Sequence, residues 1–124
     1  MIQSAPGTDT FTLLINQGAT YERVFFWSQG GCSLVGGPLP VNLIGFTANM
    51  QIRAAPLSPT VLYDASDDIV LGGVYGTITL TIDATDTETF TWWQGYYDLL
   101  LTSAGGQVTR LLSGSVLVSP GVTM

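Results

Sequence analysis

The stretch from Gly95 to Ser119 constrains the fold of this chain more than any other part of it. Two apolar runs of β-prone residues flank the pair Gly105-Gly106. Adjacent glycines supply the positive φ angles that a tight hairpin turn needs, so the pattern predicts a long β-hairpin that turns at this pair. The register that follows pairs Leu101 with Arg110, Leu99 with Leu112 and Tyr97 with Gly114.

The two faces of this hairpin differ in polarity. One face is nearly all apolar and is expected to lie on a core; it carries Tyr97, Leu99, Leu101, Val108, Leu112, Val116 and Val118. The other face is mixed and carries Tyr96 and Asp98. In the predicted register Asp98 and Arg110 point to opposite faces, so Arg53 is the better candidate to pair with a carboxylate.

Short alternating runs before the hairpin predict further strands. They are Thr10–Asn16, Thr20–Ser28, Phe46–Ala54, Thr60–Tyr63, Ile69–Leu71 and Gly76–Asp83. In the third run Ala48, Met50, Ile52 and Ala54 are expected to face inward. The segment Ala84–Gln94 is expected to form a one-turn helix or corner, and the tyrosines that follow it, Tyr96 and Tyr97, resemble the tyrosine corner of immunoglobulin domains.

These elements predict an all-β fold. It is an immunoglobulin-like antiparallel β-sandwich of seven to nine short strands. At 124 residues the chain is expected to form a single domain, 1–124, with Met1–Thr8 as a mobile N-terminal arm.

Charge excludes several classes of partner. The net charge is −6, with three arginines, no lysine and no histidine. Nucleic-acid binding needs a basic face, and anionic membranes attract one, so neither partner is expected. The residues from Met1 to Asp9 lack the pattern of a signal peptide, and no apolar run approaches the roughly 20 residues that span a bilayer. We therefore expect a soluble protein that is made in the cytoplasm.

Only 10% of the residues are charged and 46% are apolar, whereas about 25% of an ordinary domain is charged. One interpretation is a small β-protein with threonine-rich outer faces. The other, which we favour, is a subunit whose surface is largely covered by partners.

The residue types that most enzymes need are missing or isolated. Without histidine, neither a Ser–His–Asp nor a Cys–His arrangement can be built. The single cysteine, Cys32, has no neighbouring base, and no glycine pair is followed by the Gly-Lys-Ser/Thr of a phosphate loop. We expect no enzyme activity, no cofactor and no metal.

Two groups of acidic residues are candidates for a metal-binding or catalytic site. Asp64, Asp67 and Asp68 form a cluster that could hold Ca²⁺, but the spacing does not match an EF-hand, and a solvated acidic turn is the better interpretation. The second group, Asp83, Asp86 and Glu88, suits the N-terminus of a helix. A hydrolase that uses paired carboxylates is a remote alternative.

The candidate docking residues are mostly aromatic. Trp92 and Trp93 are adjacent, so in an extended segment they point to opposite faces and one is expected at an interface; the alternative is that both pack around a corner. The Gly- and Pro-rich segment Gln29–Pro40 is either a functional loop or a crossover between sheets. The predicted interface residues are Trp92, Trp93, Tyr96, Cys32 and Leu34.

The chain also resembles small virion proteins of tailed bacteriophages. The resemblance covers about Thr10 to Thr123. It is carried by Val41-Asn42-Leu43-Ile44-Gly45-Phe46-Thr47-Ala48, by Tyr97-Asp98-Leu99, and by Leu111-Leu112-Ser113-Gly114-Ser115-Val116-Leu117-Val118. The long Gly/Pro loop and the Trp92-Trp93 pair depart from the short forms of such proteins.

The resemblance implies a non-enzymatic structural protein of the virion. Such a protein oligomerises and docks on other virion proteins in the tail, the baseplate or the capsid, and a tail or baseplate adaptor is slightly favoured over a head decoration protein. Its localisation would be the virion, after synthesis in the cytoplasm of the host bacterium. The alternative hypothesis is a carbohydrate- or receptor-binding module of a phage fibre that uses exposed Trp and Tyr side chains.

Overall fold

The structure, a computed structural model, describes residues 9–28, 31–34 and 39–121. The expected N-terminal arm, Met1–Thr8, lies outside these residues. The described residues form ten strands: β1 Asp9–Thr10, β2 Leu13–Asn16, β3 Tyr21–Ser28, β4 Gly31–Ser33, β5 Thr47–Arg53, β6 Val61–Asp64, β7 Ile69–Leu71, β8 Thr77–Ile82, β9 Gln94–Thr102 and β10 Val108–Ser119. The helical elements are α1, Ala84–Thr87, and two 3₁₀ turns, Ser66–Asp68 and Gly73–Tyr75.

The strands pair into two sheets that pack face to face. The larger sheet has the order β1-β10-β9-β5-β6, with β2 also paired to β10, and the smaller sheet has the order β4-β3-β8-β7. In the larger sheet, the last strand β10 pairs with β9, and β9 pairs with the central strand β5. The larger sheet of variable-type immunoglobulin domains has the same arrangement. The fold is therefore an immunoglobulin-like β-sandwich, as the sequence predicts.

The first strand differs from the prediction in two ways. The run Thr10–Asn16 is divided into β1 and β2, and both pair in parallel with β10, so the sandwich is not purely antiparallel. The pairing is interrupted at Phe11, whose N–H donates to the Ser113 carbonyl at 3.2 Å and whose own carbonyl accepts a hydrogen bond from the Tyr97 hydroxyl at 2.8 Å. Tyr97 thus reaches a residue 86 positions earlier rather than the corner before its own strand, and it does not form a tyrosine corner.

The predicted hairpin is present, with a wider turn and a bulge. The turn occupies 103–107, with the Ser103 N–H donating to the Gln107 carbonyl at 2.9 Å, and Gly106 supplies a φ of 91°. Leu99 lies opposite Leu112 as predicted, and Tyr97 lies opposite Gly114.

The register is wrong at the turn end of the hairpin. Leu101 pairs with Thr109 instead of Arg110, because a β-bulge lies between Arg110 and Leu112. The bulge adds one residue to β10, so every side chain that precedes it on β10 is shifted by one position relative to β9. As a result Leu111 is buried beside Leu112, and Val108 is exposed rather than part of the core.

The core lies between the two sheets and follows the alternation of the strands. From the smaller sheet it takes Tyr21, Phe25, Cys32, Ile78, Leu80 and Ile82; from the larger it takes Leu13, Ile15, Met50, Ile52, Tyr97, Leu99, Leu101, Leu111, Leu112, Val116 and Val118. Met50 and Ile52 face inward as predicted, whereas Ala54 is exposed because β5 ends at Arg53.

The loops of the sandwich lie at its two ends. We call the end with the turn 17–20 and helix α1 the lower end. The upper end holds the loops 39–46 and 72–76 and the hairpin turn 103–107, and the Leu43 N–H donates to the Gly73 carbonyl at 2.9 Å there. A Cβ built on Gly45 would lie 3.1 Å from the Ala104 Cβ, so the first loop also contacts the hairpin turn.

Candidate docking surfaces

The outer face of the larger sheet carries a groove of about 490 Å³. Strands β10, β9 and β5 form its floor, so most of its side chains come from positions that alternate with core residues, although the core residue Tyr97 also lines it. The groove is lined by Gln51, Arg53, Pro56, Tyr96, Tyr97, Asp98, Arg110, Ser113, Gly114 and Ser115. Its volume lies within the range of ordinary ligand sites, about 300–1,000 Å³.

The Arg53 guanidinium is held in a fixed orientation along one wall of this groove. Its Nη1 donates to the Ser58 carbonyl at 2.9 Å, and its Nη2 donates to Gln51 Oε1 at 2.7 Å. These are neutral acceptors, whereas the sequence suggested a carboxylate partner. A guanidinium oriented by the protein's own oxygens loses little further freedom when it binds a ligand.

The bulge in β10 changes which charges share this surface. Asp98 lies opposite Ser113 and Gln51 on the neighbouring strands, and Arg110 lies opposite Leu100. Asp98 and Arg110 both line the groove, so the prediction that they point to opposite faces is wrong. Arg53 and Arg110, two of the three arginines of the chain, therefore line the same groove as the Asp98 carboxylate.

Tyr96 lies at the centre of the groove floor. It pairs with Ser115 on β10 and with Arg53 on β5, and its hydroxyl accepts a hydrogen bond from Gln94 Nε2 at 3.3 Å. The side chain is half-buried. Tyr96 is thus a predicted interface residue that the structure places on an open surface, beside charged groups.

Next to the groove, at the lower end, lies a group of exposed apolar side chains that we call the lower patch: Leu14, Trp93 and Leu117. Leu14 and Leu117 are register partners on β2 and β10, and Leu117 is also opposite Gln94. The Trp93 carbonyl accepts the Val118 N–H at 2.8 Å, which places Trp93 beside the same strand. These three side chains are between 39% and 65% exposed.

The adjacent tryptophans divide between core and surface. The Trp92 ring stacks on Phe90 with ring centroids 4.9 Å apart and packs against the core. Trp93 is exposed. The alternative in which both rings pack around the corner does not hold, and of the pair only Trp93 belongs to an open surface.

A second group of exposed apolar side chains stands at the upper end, and we call it the upper patch: Leu39, Ile44, Val74 and Tyr75. They are between 48% and 73% exposed. Their loops pack on each other, because a Cβ on Gly73 would contact Ile44 and a Cβ on Gly76 would lie 3.1 Å from Pro40. No residue of the loops 39–46, 72–76 and 103–107 is charged.

The upper patch is not among the surfaces that the sequence predicts. Its four side chains come from two loops that are about 30 positions apart in the chain, and loops carry no periodicity from which burial could be read. The available signal was the run of uncharged, apolar loop residues at 39–46 and 72–76, since connecting loops are normally polar.

Cys32 and Leu34 lie in different environments. Cys32 belongs to β4, pairs with Trp27 and is only 7% exposed, so it is a core residue and not part of an open interface. Leu34 is exposed at the end of the same strand. Within the segment Gln29–Pro40, Gly31–Ser33 thus pair with β3 as a strand rather than belonging to a plain loop; residues 29–30 and 35–38 lie outside the described part of the chain.

Two acidic residues, Asp68 and Asp86, meet at the hydroxyl of a tyrosine. The Tyr63 hydroxyl donates to Asp68 Oδ2 and lies 3.5 Å from Asp86 Oδ2. Burial, followed by these two carboxylates, raises the pKa of Tyr63 above its usual value. Burial and the neighbouring Asp86 carboxylate also raise the pKa of Asp68, although its bond from Tyr63 opposes the change.

The other acidic side chains act locally. Hydrogen bonds from Ser66 lower the pKa of Asp64, and its Oδ1 accepts the Ser66 N–H at 2.9 Å, which closes a tight turn. Asp83 occupies the N-cap position of α1, but its side chain makes no capping bond. Among residues 9–28, 31–34 and 39–121, no group of three or more Cys, Asp or Glu side chains is placed to hold a metal ion.

In the part of the chain that the structure describes, no helix is long and apolar enough to cross a membrane. No protein-family model matches the sequence, and no curated protein matches it.

One similar solved structure comes from site-directed photo-crosslinking analyses of multimeric cell-adhesive interactions of VGSC beta subunits. It is 15% identical, with 96% of this chain and 98% of that chain covered, at a TM-score of 0.39. The strand order and the sheet pairing described above define the immunoglobulin-like fold.

Proposed function

We propose that this protein is a non-enzymatic structural subunit of a tailed-phage virion, and that it assembles through the outer face of its larger sheet. The resemblance of its sequence to small virion proteins supports the proposal that it belongs to a virion. The observation that carries the docking role is the lower patch, in which the register partners Leu14 and Leu117 are exposed and so is Trp93, whose backbone carbonyl bonds to the end of β10.

The composition of this face is that of a protein interface. Tryptophan, tyrosine and arginine are the residues most often found to dominate binding energy, and they act best where apolar neighbours exclude water. The lower patch supplies the apolar part, and Tyr96, Arg53 and Arg110 in the adjoining groove supply a polar rim. A sparsely charged chain gains from covering such a surface with a partner.

The test begins with the mass of the purified protein in solution. Light scattering at two concentrations should give a discrete oligomer of the 13.2 kDa chain. The lower-patch variant, Trp93→Ser with Leu117→Ser, should be a monomer. Val70→Ser removes an equally exposed apolar side chain from the smaller sheet and should leave the mass unchanged. A wild-type protein that stays monomeric at the higher concentration would contradict self-assembly through this face.

The virion setting needs a separate measurement. Antibodies raised against the protein should label purified particles of the phage that encodes it. Labelling confined to the tail would favour the adaptor role over head decoration. Particles without the protein, from a lysate that contains it, would overturn the virion role and leave the docking face to be explained by another partner.

The groove favours a second candidate function, a carbohydrate-binding module. A carboxylate, an oriented guanidinium and a tyrosine ring line one cleft: Asp98, Arg53 and Tyr96. Such groups can bind sugar hydroxyls and offer a ring to the apolar face of a sugar. Titration with galactose, N-acetylglucosamine and galacturonic acid should then change the intrinsic fluorescence, and Tyr96→Ala should abolish the change. No response to any of the three sugars, from folded protein, would contradict this candidate.

A further inference from the structure

The groove on the larger sheet holds a cation and a carboxylate on neighbouring strands. Arg53 on β5 lies opposite Tyr96 on β9, and Asp98 lies two residues farther along β9, opposite Gln51. Diagonal neighbours of this kind are about 7–8 Å apart, which is within reach of a long side chain. The Arg53 guanidinium nevertheless bonds to two neutral oxygens, the Ser58 carbonyl and Gln51 Oε1. The groove therefore presents both charges to whatever enters it.

The guanidinium of Arg53 is suited to bind a carboxylate. A guanidinium has five N–H donors. Among the residues that the structure describes, two oxygens accept from Arg53, so three donors remain for a ligand in the groove that this side chain lines. A carboxylate binds a guanidinium through two N–H donors at once. Because the bonds to Ser58 and Gln51 already orient the side chain, this pairing orders little that was free before.

The groove side chains around Arg53 are suited to a ring that carries hydroxyl groups. The Asp98 carboxylate accepts hydrogen bonds from hydroxyls, and the Ser113 and Ser115 hydroxyls both donate and accept them. These serines line the groove and lie opposite Asp98 and Tyr96 on β10. The half-buried Tyr96 ring, which lies opposite Arg53 and two residues before Asp98, offers an apolar surface to the C–H groups of a sugar.

We infer that the groove binds a hexuronic acid, with the sugar carboxylate on Arg53 and the ring hydroxyls toward Asp98. The inference rests on the second candidate function, the carbohydrate-binding module, and names its class of sugar. A neutral sugar leaves the guanidinium without an anion. A ligand with many negative charges, such as an acidic peptide, is repelled by Asp98 and by the net charge of −6. One carboxylate on a ring of hydroxyls suits both charged side chains.

Sugars that differ only at C6 test the inference. Galacturonic acid carries a carboxylate where galactose carries a hydroxymethyl group, and glucuronic acid differs from glucose in the same way. Each sugar is titrated into ¹⁵N-labelled protein and followed by ¹H–¹⁵N NMR. At least one acid should shift the backbone amides of the groove floor, such as Tyr96 and Ser115, with a dissociation constant about 10- to 100-fold below that of its neutral counterpart. Sodium acetate, a carboxylate without a ring, should bind more weakly than that acid.

Variants of the two charged residues test the roles assigned to them. Arg53→Gln should weaken binding of the acid about 10- to 100-fold, and Arg53→Lys, which keeps the charge but not the planar fork, should weaken it less. Asp98→Asn should also weaken binding, because it removes an acceptor for the hydroxyls. Arg23→Gln removes the same charge from β3 in the other sheet and should leave the affinity unchanged. Far-ultraviolet circular dichroism and the Tm establish that each variant is folded.

Other results separate the inference from the function on which it rests. Equal affinity for the acid and the neutral sugar of each pair overturns the inference and leaves the carbohydrate-binding candidate intact. No shift with any of the four sugars, from folded protein, removes both. Acetate that binds as tightly as the acids, or tighter binding of the acid by Asp98→Asn, would mean that the groove attracts carboxylates by charge alone, and it overturns the assignment of a sugar.

Discussion

Two buried tyrosines of this core have opposite hydrogen-bonding states. The Tyr97 hydroxyl donates to the Phe11 carbonyl at 2.8 Å, and burial raises the pKa of Tyr97. The Tyr21 hydroxyl is buried without a hydrogen-bond partner among the described residues. A buried hydroxyl without a partner costs free energy that a satisfied one does not.

The two tyrosines should therefore respond oppositely to loss of the hydroxyl. Tyr97→Phe is expected to lower the free energy of unfolding by about 1 kcal/mol, because it breaks a bond and leaves the Phe11 carbonyl unpaired. Tyr21→Phe is expected to raise it by about 1 kcal/mol, because it removes an unsatisfied group. Urea denaturation of both variants measures this, and a loss of stability in Tyr21→Phe would contradict the unsatisfied state.

The carboxyl of Asp68 should make stability depend on pH in an unusual direction. Its pKa is raised in the folded protein, so the folded state holds the proton more tightly than the unfolded state. The stabilisation of the folded protein by this carboxyl is therefore fully present below the ordinary pKa of 3.8. It is lost as the pH rises through the raised pKa of Asp68. Asp68→Asn keeps an oxygen to accept the Tyr63 bond and should raise the Tm at neutral pH.

The comparison across pH makes this prediction specific. The Tm gain of Asp68→Asn should shrink toward zero as the pH is lowered below about 4, where the wild-type carboxyl is protonated. Asp67→Asn removes the adjacent charge without touching the Tyr63 bond and serves as the control. A gain from Asp68→Asn that is constant with pH, or equal to that of the control, would show that titration of Asp68 is not its cause.

At the scale of elements, the close approach of the first strand to β10 at Phe11 is the least ordinary part of the sandwich. β1 and β2 pair in parallel with the same edge of β10, in one register, on either side of Phe11. The close approach is possible because Gly114 has no side chain there: a Cβ would lie 2.2 Å from the Phe11 carbonyl oxygen. Backbone cannot give way as the tip of a flexible side chain can, so this glycine sets the position of β1 and β2.

Gly114→Ala should therefore destabilise the protein by about 1–3 kcal/mol, the usual cost of overpacking a tight site. Gly105→Ala is the matched control, since its Cβ would meet only Ser103 Oγ at 3.9 Å. Thermal unfolding of the two variants should separate them by several degrees. Equal Tm values would show that the first strand can move away from β10 at little cost.

Helix α1 is attached to the lower end through one hydroxyl. Thr87 is fully buried; its Oγ1 accepts the Gly18 N–H at 3.1 Å and donates to the Ala19 carbonyl at 2.8 Å. Thr87→Val keeps the shape but leaves two backbone groups unpaired, and it should cost about 1–3 kcal/mol. Thr89→Val removes an exposed hydroxyl from the same corner and should change the free energy of unfolding much less, as urea denaturation can measure.

At the scale of the whole molecule, apolar burial and net charge act separately on self-association. Arg53, Arg110 and Asp98 line the groove, Asp68 and Asp86 meet at Tyr63, and the apolar side chains of the lower patch are exposed. In the proposed assembly, burial of apolar surface drives association, and the net charge of −6 acts against it through repulsion between copies.

The dependence of assembly on salt follows from this separation. Raising NaCl from about 50 mM to about 500 mM shortens the screening length to a few ångströms and weakens only the repulsion. The oligomer mass at fixed protein concentration should stay constant or rise, as light scattering can measure. Dissociation at the higher salt would indicate that ion pairs, such as arginine with a carboxylate of a neighbour, hold the copies together.

The sequence by itself predicted the two-sheet β architecture, the hairpin around Gly105-Gly106 and the inward positions of Met50 and Ile52 on β5. These features depend on the period-2 alternation of strands and on turn residues, which are local properties of the chain. The tertiary structure alone decided the parallel pairing of β1 and β2, the bulge that places Arg110 in the same groove as Asp98, which tryptophan of the pair is exposed, the burial of Cys32 and the upper patch. Each of these depends on contacts between residues far apart in the chain, and a bulge, a parallel strand pairing or a meeting of loops is settled by packing that no local pattern encodes.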